Sequence, residues 1–261
     1  MPPRTGWTRQ QLLVAFNLYC QMPFGKMHSR NPEIIKYAKL IGRTPSALAM
    51  KLTNIASLDP AITSTGRKGL EGVSITDKAM WKEMQSDWEQ FALEAQQALR
   101  ALGSATVSEA ETSDTLIPDE TVDYTGSNKT IQTTIRIGQD FFRRAVLSAY
   151  DYRCCITGLA VPRLLVASHI VPWRVDAKNR LNPRNGLCLS MLHDKAFDVG
   201  IITISEKMTV RVSRKHTDKA DIFFRSALLA YDGKPIALPE KFRPAEEFLA
   251  YHRNVFLSHE E

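Results

Sequence analysis

A strip that cannot join a hydrophobic core constrains this chain more than any other feature. Residues 103–130 carry six acids and one lysine among serines and threonines, with almost no apolar periodicity. Ordering such a segment costs conformational entropy without apolar burial to offset it. The chain is therefore expected to divide into a helical body at 1–102, an acidic flexible linker at 103–130 and a second body at 131–261. The flanking bodies hold 13 Lys+Arg against 8 Asp+Glu, and 20 against 14. Basic bodies suit a polyanion, because cations that neutralise phosphates release counterions. By charge alone, an ordinary soluble basic protein fits as well.

The first body reads as helices with explicit start and stop signals. Thr8 caps a helix running through Tyr19 and ending before Pro23. Asn31-Pro32-Glu33 starts a second, with Ile34, Ile35, Ala38 and Ile41 on its apolar side and Gly42 at its end. Thr44-Pro45-Ser46 opens a third, which carries Ala47, Leu48, Met50, Leu52 and Ile55. Two helices around a short glycine turn make a helix-turn-helix-like region. Its second helix would present Ser46, Lys51 and Asn54, and we take Arg43 and Lys51 as the DNA-binding candidates here. A three-helix bundle that only packs has the same pattern. A further helix from Thr76-Asp77 to Leu102 places Trp81, Met84, Trp88, Phe91, Ala95, Ala98 and Leu102 at steps of three and four. That heptad seam either pairs two copies as a homodimer or covers the preceding helices.

Two other classes find no support. No apolar run approaches the roughly 20 residues that cross a bilayer, and Met1–Trp7 lacks the apolar core of a secretory signal. A cytoplasmic protein without membrane contact is expected. Cys20, Cys154, Cys155 and Cys188 form no C-x-x-C pair and read as small core residues rather than zinc or disulfide ligands.

The second body has a different rhythm. Asp140–Tyr150 reads as a helix, and Arg153–Gly158 as a strand closing on a Thr-Gly turn. The next strand, Leu164–Ile170, is apolar until it reaches Ser168-His169. After a loop with Pro172, Trp173 and Pro183 come a short strand, Asn185–Leu189, and a helix, Met191–Asp198. Residues 201–205 and 209–213 alternate as a hairpin. Helices near Ile222–Leu229 and Ala245–Phe256 close the chain.

The run from Cys155-Ile156-Thr157-Gly158 through Ser168-His169-Ile170, Asn185-Gly186-Leu187 and His193-Asp194-Lys195-Ala196-Phe197-Asp198-Val199-Gly200 resembles the HNH endonucleases. The likeness is greatest to a subgroup of bacterial restriction endonucleases and covers residues 150–205. Phe242-Arg243-Pro244 and Tyr251-His252-Arg253 look like that subgroup too, and Leu40–Ala47 resembles an accessory region of similar nucleases. The resemblance implies an α+β protein: an N-terminal helical domain with a helix-turn-helix-like region, then a C-terminal ββα-metal (HNH) nuclease domain. It further implies cleavage of double-stranded DNA with a divalent metal, Mg²⁺ or Mn²⁺.

Phosphodiester hydrolysis needs a base for water, a cation at the phosphate and stabilisation of the leaving oxygen. His169 suits the base, since neutral imidazole accepts a proton near pH 7. In the family pattern Asn185 bonds across the loop to orient that histidine, and His193 reaches the metal from the helix. Asp198 is a second candidate metal ligand. It lies about 140° from His193 on an ideal helix, so the two share an ion only if the helix ends or bends near Phe197. Asp194 is an alternative carboxylate with a poorer expected direction. Ser168 stands where the wider superfamily often has Asp or His, so its hydroxyl is a weak third candidate for the metal. Arg174, Arg180, Arg184 and Lys195 are candidates for flanking phosphates. Restriction of foreign DNA is the expected role. The rivals are a nuclease dependent on base modification and a DNA-binding regulator with a degenerate site.

Overall fold

The computed structural model describes residues 6–66, 73–103, 126–216 and 221–260. Helix α1 (Arg9–Gln21) is the hub of the N-terminal half. Thr8 and Gln11 form its capping box, and Leu12 to Cys20 are buried without interruption. A helix covered on every side belongs at the centre of a core. Around it pack α2 (Pro32–Leu40), α3 (Pro45–Ala56), the single turn α4 (Pro60–Thr63), α5 (Ile75–Ser86) and α6 (Trp88–Gly103). The expected caps are used as written: Asn31 accepts from Glu33 N, and Thr44 accepts from Ala47 N. Gly42 takes the positive φ of 66° that a sharp stop after α2 requires.

The long helix expected from Thr76 is two helices. Asp87 leaves helical geometry at φ −150° and ψ 89°, and its carboxylate caps the next helix by accepting from Gln90 N at 2.9 Å. The heptad seam is spent inside the chain, the second of its two expected uses, covering the preceding helices. Trp81, Met84, Trp88, Phe91, Ala95 and Ala98 are all buried in the same apolar cluster as α1.

Helix α7 (Gly126–Ala149) also corrects an expectation, since it starts well before Asp140 and takes residues 126–130 out of the linker. Residues 104–125 of that linker lie outside the described residues. Its last turns pack Phe141, Phe142, Ala145 and Val146 into one cluster with α1 and α6. Strand β1 (Leu165–His169) then pairs antiparallel with β2 (Gly186–Ser190), in the register Leu165↔Ser190 to His169↔Gly186. Helix α8 (Met191–Asp198) follows β2 directly, capped by Ser190. A second hairpin, β3 (Ile202–Ile204) with β4 (Val210–Val212), the short α9 (Ile222–Ala227) and α10 (Glu246–Glu260) complete the chain. The strand expected at Arg153–Gly158 is a turn instead. Asp151 and Tyr152 both take positive φ, and only Cys155 N reaches the sheet, donating to Cys188 O at 2.8 Å.

The two halves are joined by a buried junction. Phe242 sits against Tyr19, Trp81 and Trp88, with ring centroids 5.7, 6.4 and 5.6 Å away. Beside it, Lys241 is fully buried and donates to the carbonyls of Tyr19, Cys20 and Met22 at 2.5–3.1 Å. Asp59 accepts from Tyr19 Oη at 2.8 Å and Phe242 N at 3.2 Å. No helix among the described residues is long and apolar enough to cross a membrane.

Emptying this aromatic pocket leaves a cavity lined by both halves. Phe242→Ala is expected to lose about 3–5 kcal/mol of stability. Urea unfolding followed by tryptophan emission and helical dichroism should move together in one transition. Separate transitions would show that the halves unfold independently.

Candidate active site

The site is built on the end of β1 and the loop that returns to β2. His169 is the last strand residue, and its ring stacks on Phe142 of α7 at 3.9 Å and 8°. Trp173 meets it edge-on at 5.5 Å. With the plane fixed from two sides, Nε2 lies 2.9 Å from the carbonyl oxygen of Arg180. A carbonyl only accepts, so Nε2 carries the proton and Nδ1 keeps the lone pair of a base. Among the described residues nothing bonds to Nδ1. Burial pushes the imidazole pKa below its usual value of 6.5, opposed in part by the Arg180 carbonyl.

Asn185 is fully buried and closes the loop. Its Oδ1 accepts from Val171 N at 2.8 Å, and its Nδ2 donates to Val171 O at 3.1 Å and Asn179 O at 3.4 Å. Both sides of the loop are therefore tied just beyond His169 and just before Arg180. Gly186, facing His169 across the ladder, has no room for a side chain. A Cβ there would sit 2.4 Å from Val146 Cγ2 and 3.0 Å from Phe142 Cζ.

The opposite face of β1 carries a second group of polar side chains. Asp194 and Asp198 are four residues apart on α8, so they share one side of the helix, about 40° apart. The two carboxylates are close enough for the charge of Asp198 to act on Asp194. Burial raises the pKa of Asp194 most, the Ser168 hydroxyl lowers it, and the Asp198 charge raises it further. Asp198, at the solvent-facing end of the helix, is also raised by burial and partly relieved by Lys195. Ser168 is buried and its Oγ lacks a hydrogen bond of ordinary geometry.

His193 is placed elsewhere. It is 3% exposed, with Nδ1 2.8 Å from the Ser190 hydroxyl that caps α8 and its ring edge-on to Tyr231 at 5.5 Å. The third position from a cap reaches back to the cap, and that pull turns the imidazole into the protein. With Nδ1 at the cap, the nitrogen left for the metal role expected of His193 is Nε2, which is buried without a hydrogen bond of ordinary geometry. Asp194, the alternative carboxylate with the poorer expected direction, occupies the face that Asp198 shares. The i, i+4 spacing of the two aspartates was the signal that could have found it.

Among the described residues no three His, Cys, Asp or Glu side chains cluster as a metal cage. The donors present are two carboxylates and the Ser168 hydroxyl beside Asp194. This all-oxygen set fits a hard divalent cation, which commonly keeps water and substrate oxygens in its shell.

The basic candidates divide as sharply. Arg174, Arg184 and Lys195 are exposed on the loop and helix around the site. Arg180 lies half-buried over Trp173, 5.4 Å from its ring. Lys51 leaves the list of DNA contacts, being buried in an ion pair with Asp77 at 2.8 and 2.9 Å. Arg43 is engaged within the N-terminal half, bonding Gln11 Oε1 at 2.9 Å and lying 5.0 Å from the Trp7 ring.

A hairpin, a connecting loop and a helix, with a histidine at the first strand's end, make up a ββα unit. Residues 154–205 match the sequence model of the HNH endonuclease family, and the C-terminal half thus carries an HNH endonuclease domain. No curated protein matches the chain.

Two expectations follow. The imidazolium cannot accept a proton, so cleavage should fall as pH drops through the His169 pKa. That acid limb is expected below pH 6.5, and a pH–rate profile centred at or above that value would contradict the buried base. Gly186→Ala should displace Phe142 and Val146, costing about 1–3 kcal/mol of stability and lowering cleavage through the ring that Phe142 supports. Thermal denaturation and a nicking assay together read both effects.

Proposed function

We propose that this chain is a divalent-metal-dependent endonuclease that hydrolyses phosphodiester bonds of double-stranded DNA. The observation that carries the reading is His169, whose Nε2–H on the Arg180 carbonyl leaves Nδ1 as an unengaged base at the end of β1, within the residues that match the HNH family. In this reading Nδ1 takes the proton of the attacking water, and Phe142 and Trp173 keep the ring from turning away. Asn185 holds the loop whose carbonyl sets the tautomer. Asp194 and Asp198, with Ser168 in support, hold Mg²⁺ or Mn²⁺. A bound cation of this kind supplies Lewis-acid stabilisation to the charged phosphate and the leaving oxygen. Arg174, Arg180, Arg184 and Lys195 take flanking phosphates as charge-assisted donors.

The physiological role we assign is restriction of foreign DNA, supported by the likeness of residues 150–205 to restriction-type HNH sequences. The regulator reading loses ground at the carboxylates. A degenerate site has no need to keep two aspartates on one side of α8 next to the Ser168 hydroxyl.

The test is plasmid and phage DNA cleavage in Mg²⁺ and Mn²⁺, with plain and base-modified substrates. His169→Ala should lower cleavage by about 10²–10⁴-fold while DNA binding survives. Asp194→Asn should weaken metal-dependent activation, whereas His193→Gln should lower thermal stability and leave the metal requirement unchanged. A wild type that binds DNA and nicks nothing in either metal would make the chain a DNA-binding protein.

A further inference from the structure

Within the β1–β2 loop, Asx residues recur at every third position: Asp176, Asn179, Asn182 and Asn185. Their side chains form a directional relay. Asn182 Oδ1 accepts from Arg184 N at 3.0 Å, which fixes its amide so that Nδ2 donates to Asn179 Oδ1, also at 3.0 Å. Asn179 must then offer its own Nδ2 onward, and Asp176 Oδ2 receives it at 2.7 Å. Asp176 Oδ1 accepts from Asn179 N at 3.2 Å. The Asn179 carbonyl takes Asn185 Nδ2 at 3.4 Å and Asn182 N at 3.3 Å. Every polar group of Asn179 is thereby occupied, and the next carbonyl along the chain is the one on which His169 Nε2 rests.

Asp176 serves two groups at once: one oxygen caps the short turn Ala177–Asn179, and the other ends the relay. It lies among Arg174, Lys178, Arg180 and Arg184, where a negative charge works against phosphate, and no cation pairs with it among the described residues. A terminal acceptor is what the relay's polarity demands. Resting on the reading of His169 as the base, we propose that Asp176 and Asn179 are positioning residues that hold the Arg180 carbonyl, and through it the tautomer and orientation of His169.

The two residues can be exchanged without losing the relay. In Asp176→Asn alone, two amide NH₂ groups face each other. In Asn179→Asp alone, two carboxylates do. In the double exchange, the new amide at 176 donates to the new carboxylate at 179, which still accepts from Asn182. Each single variant is expected to lose kcat by about tenfold or more, the scale set by misplacing a reacting group. DNA affinity in metal-free buffer should stay within about twofold, and the exchange should recover most of kcat. Independently of cleavage, ¹⁵N-resolved imidazole spectra should show one Nε2–H tautomer for His169 in the wild type and the exchange, and a mixture in the singles. Singles with wild-type kcat and a single tautomer, or an exchange no better than either single, would overturn the inference. If the wild type fails to cleave, the nuclease reading falls, while the spectra still decide whether the relay sets the ring.

Discussion

The site depends on closing one loop. β1 and β2 are only five residues each, and between them the chain must leave the sheet and return without a core of its own. Asn185 makes this possible because a buried carboxamide has to satisfy both its oxygen and its nitrogen. It does so on both groups of Val171 and on the carbonyl of Asn179. The loop is thereby pinned at two points, and the ladder brings His169 opposite Gly186, where the lack of a side chain lets Phe142 approach. Backbone pairing, the buried amide and the stacked ring act on the same imidazole.

That ring is supported in turn from the other half of the chain. Phe142 belongs to α7, whose neighbours Phe141 and Ala145 share the apolar cluster of α1 and α6. Ser148 of the same helix donates to the Cys20 carbonyl of α1 at 3.0 Å. The buried Lys241 caps three carbonyls at the end of α1, and Phe242 fills the aromatic pocket between α1, α5 and α6. The N-terminal helices thus pack as a platform for the half that carries the HNH match. Within that platform Lys51 of α3 is turned inward and neutralises Asp77 in the packed region beneath Trp7.

Much of the local structure was legible in the sequence because its signals are short-range. Caps at Thr8, Asn31 and Thr44, the stop at Gly42, the apolar run ending in Ser168-His169 and the Met191–Asp198 helix follow from residues a few positions apart. His169 and Asn185 stood out for the same reason, since their chemistry matches a known motif at a known spacing. Other readings failed where direction rather than position mattered. A histidine three residues after a capping serine can face solvent or the cap, and only the packing of Tyr231 and Ser190 makes His193 face inward. The heptad at Trp81–Ala98 specified a buried face without naming what would cover it.

The sequence by itself determined most of the helices, the β1–β2–α8 segments that carry His169 and Asn185, and a basic chain with an acidic interruption. Periodicity, capping and charge are properties of neighbours along the chain. Tertiary structure alone decided that Asp194 joins Asp198 beside Ser168, that Lys51 and the tryptophan seam are buried in the chain's own core, and that the Arg180 carbonyl selects the His169 tautomer. Each of these requires groups distant in sequence, or side chains turned to a particular face, to meet under the demand that buried polar atoms find partners and apolar faces find cover.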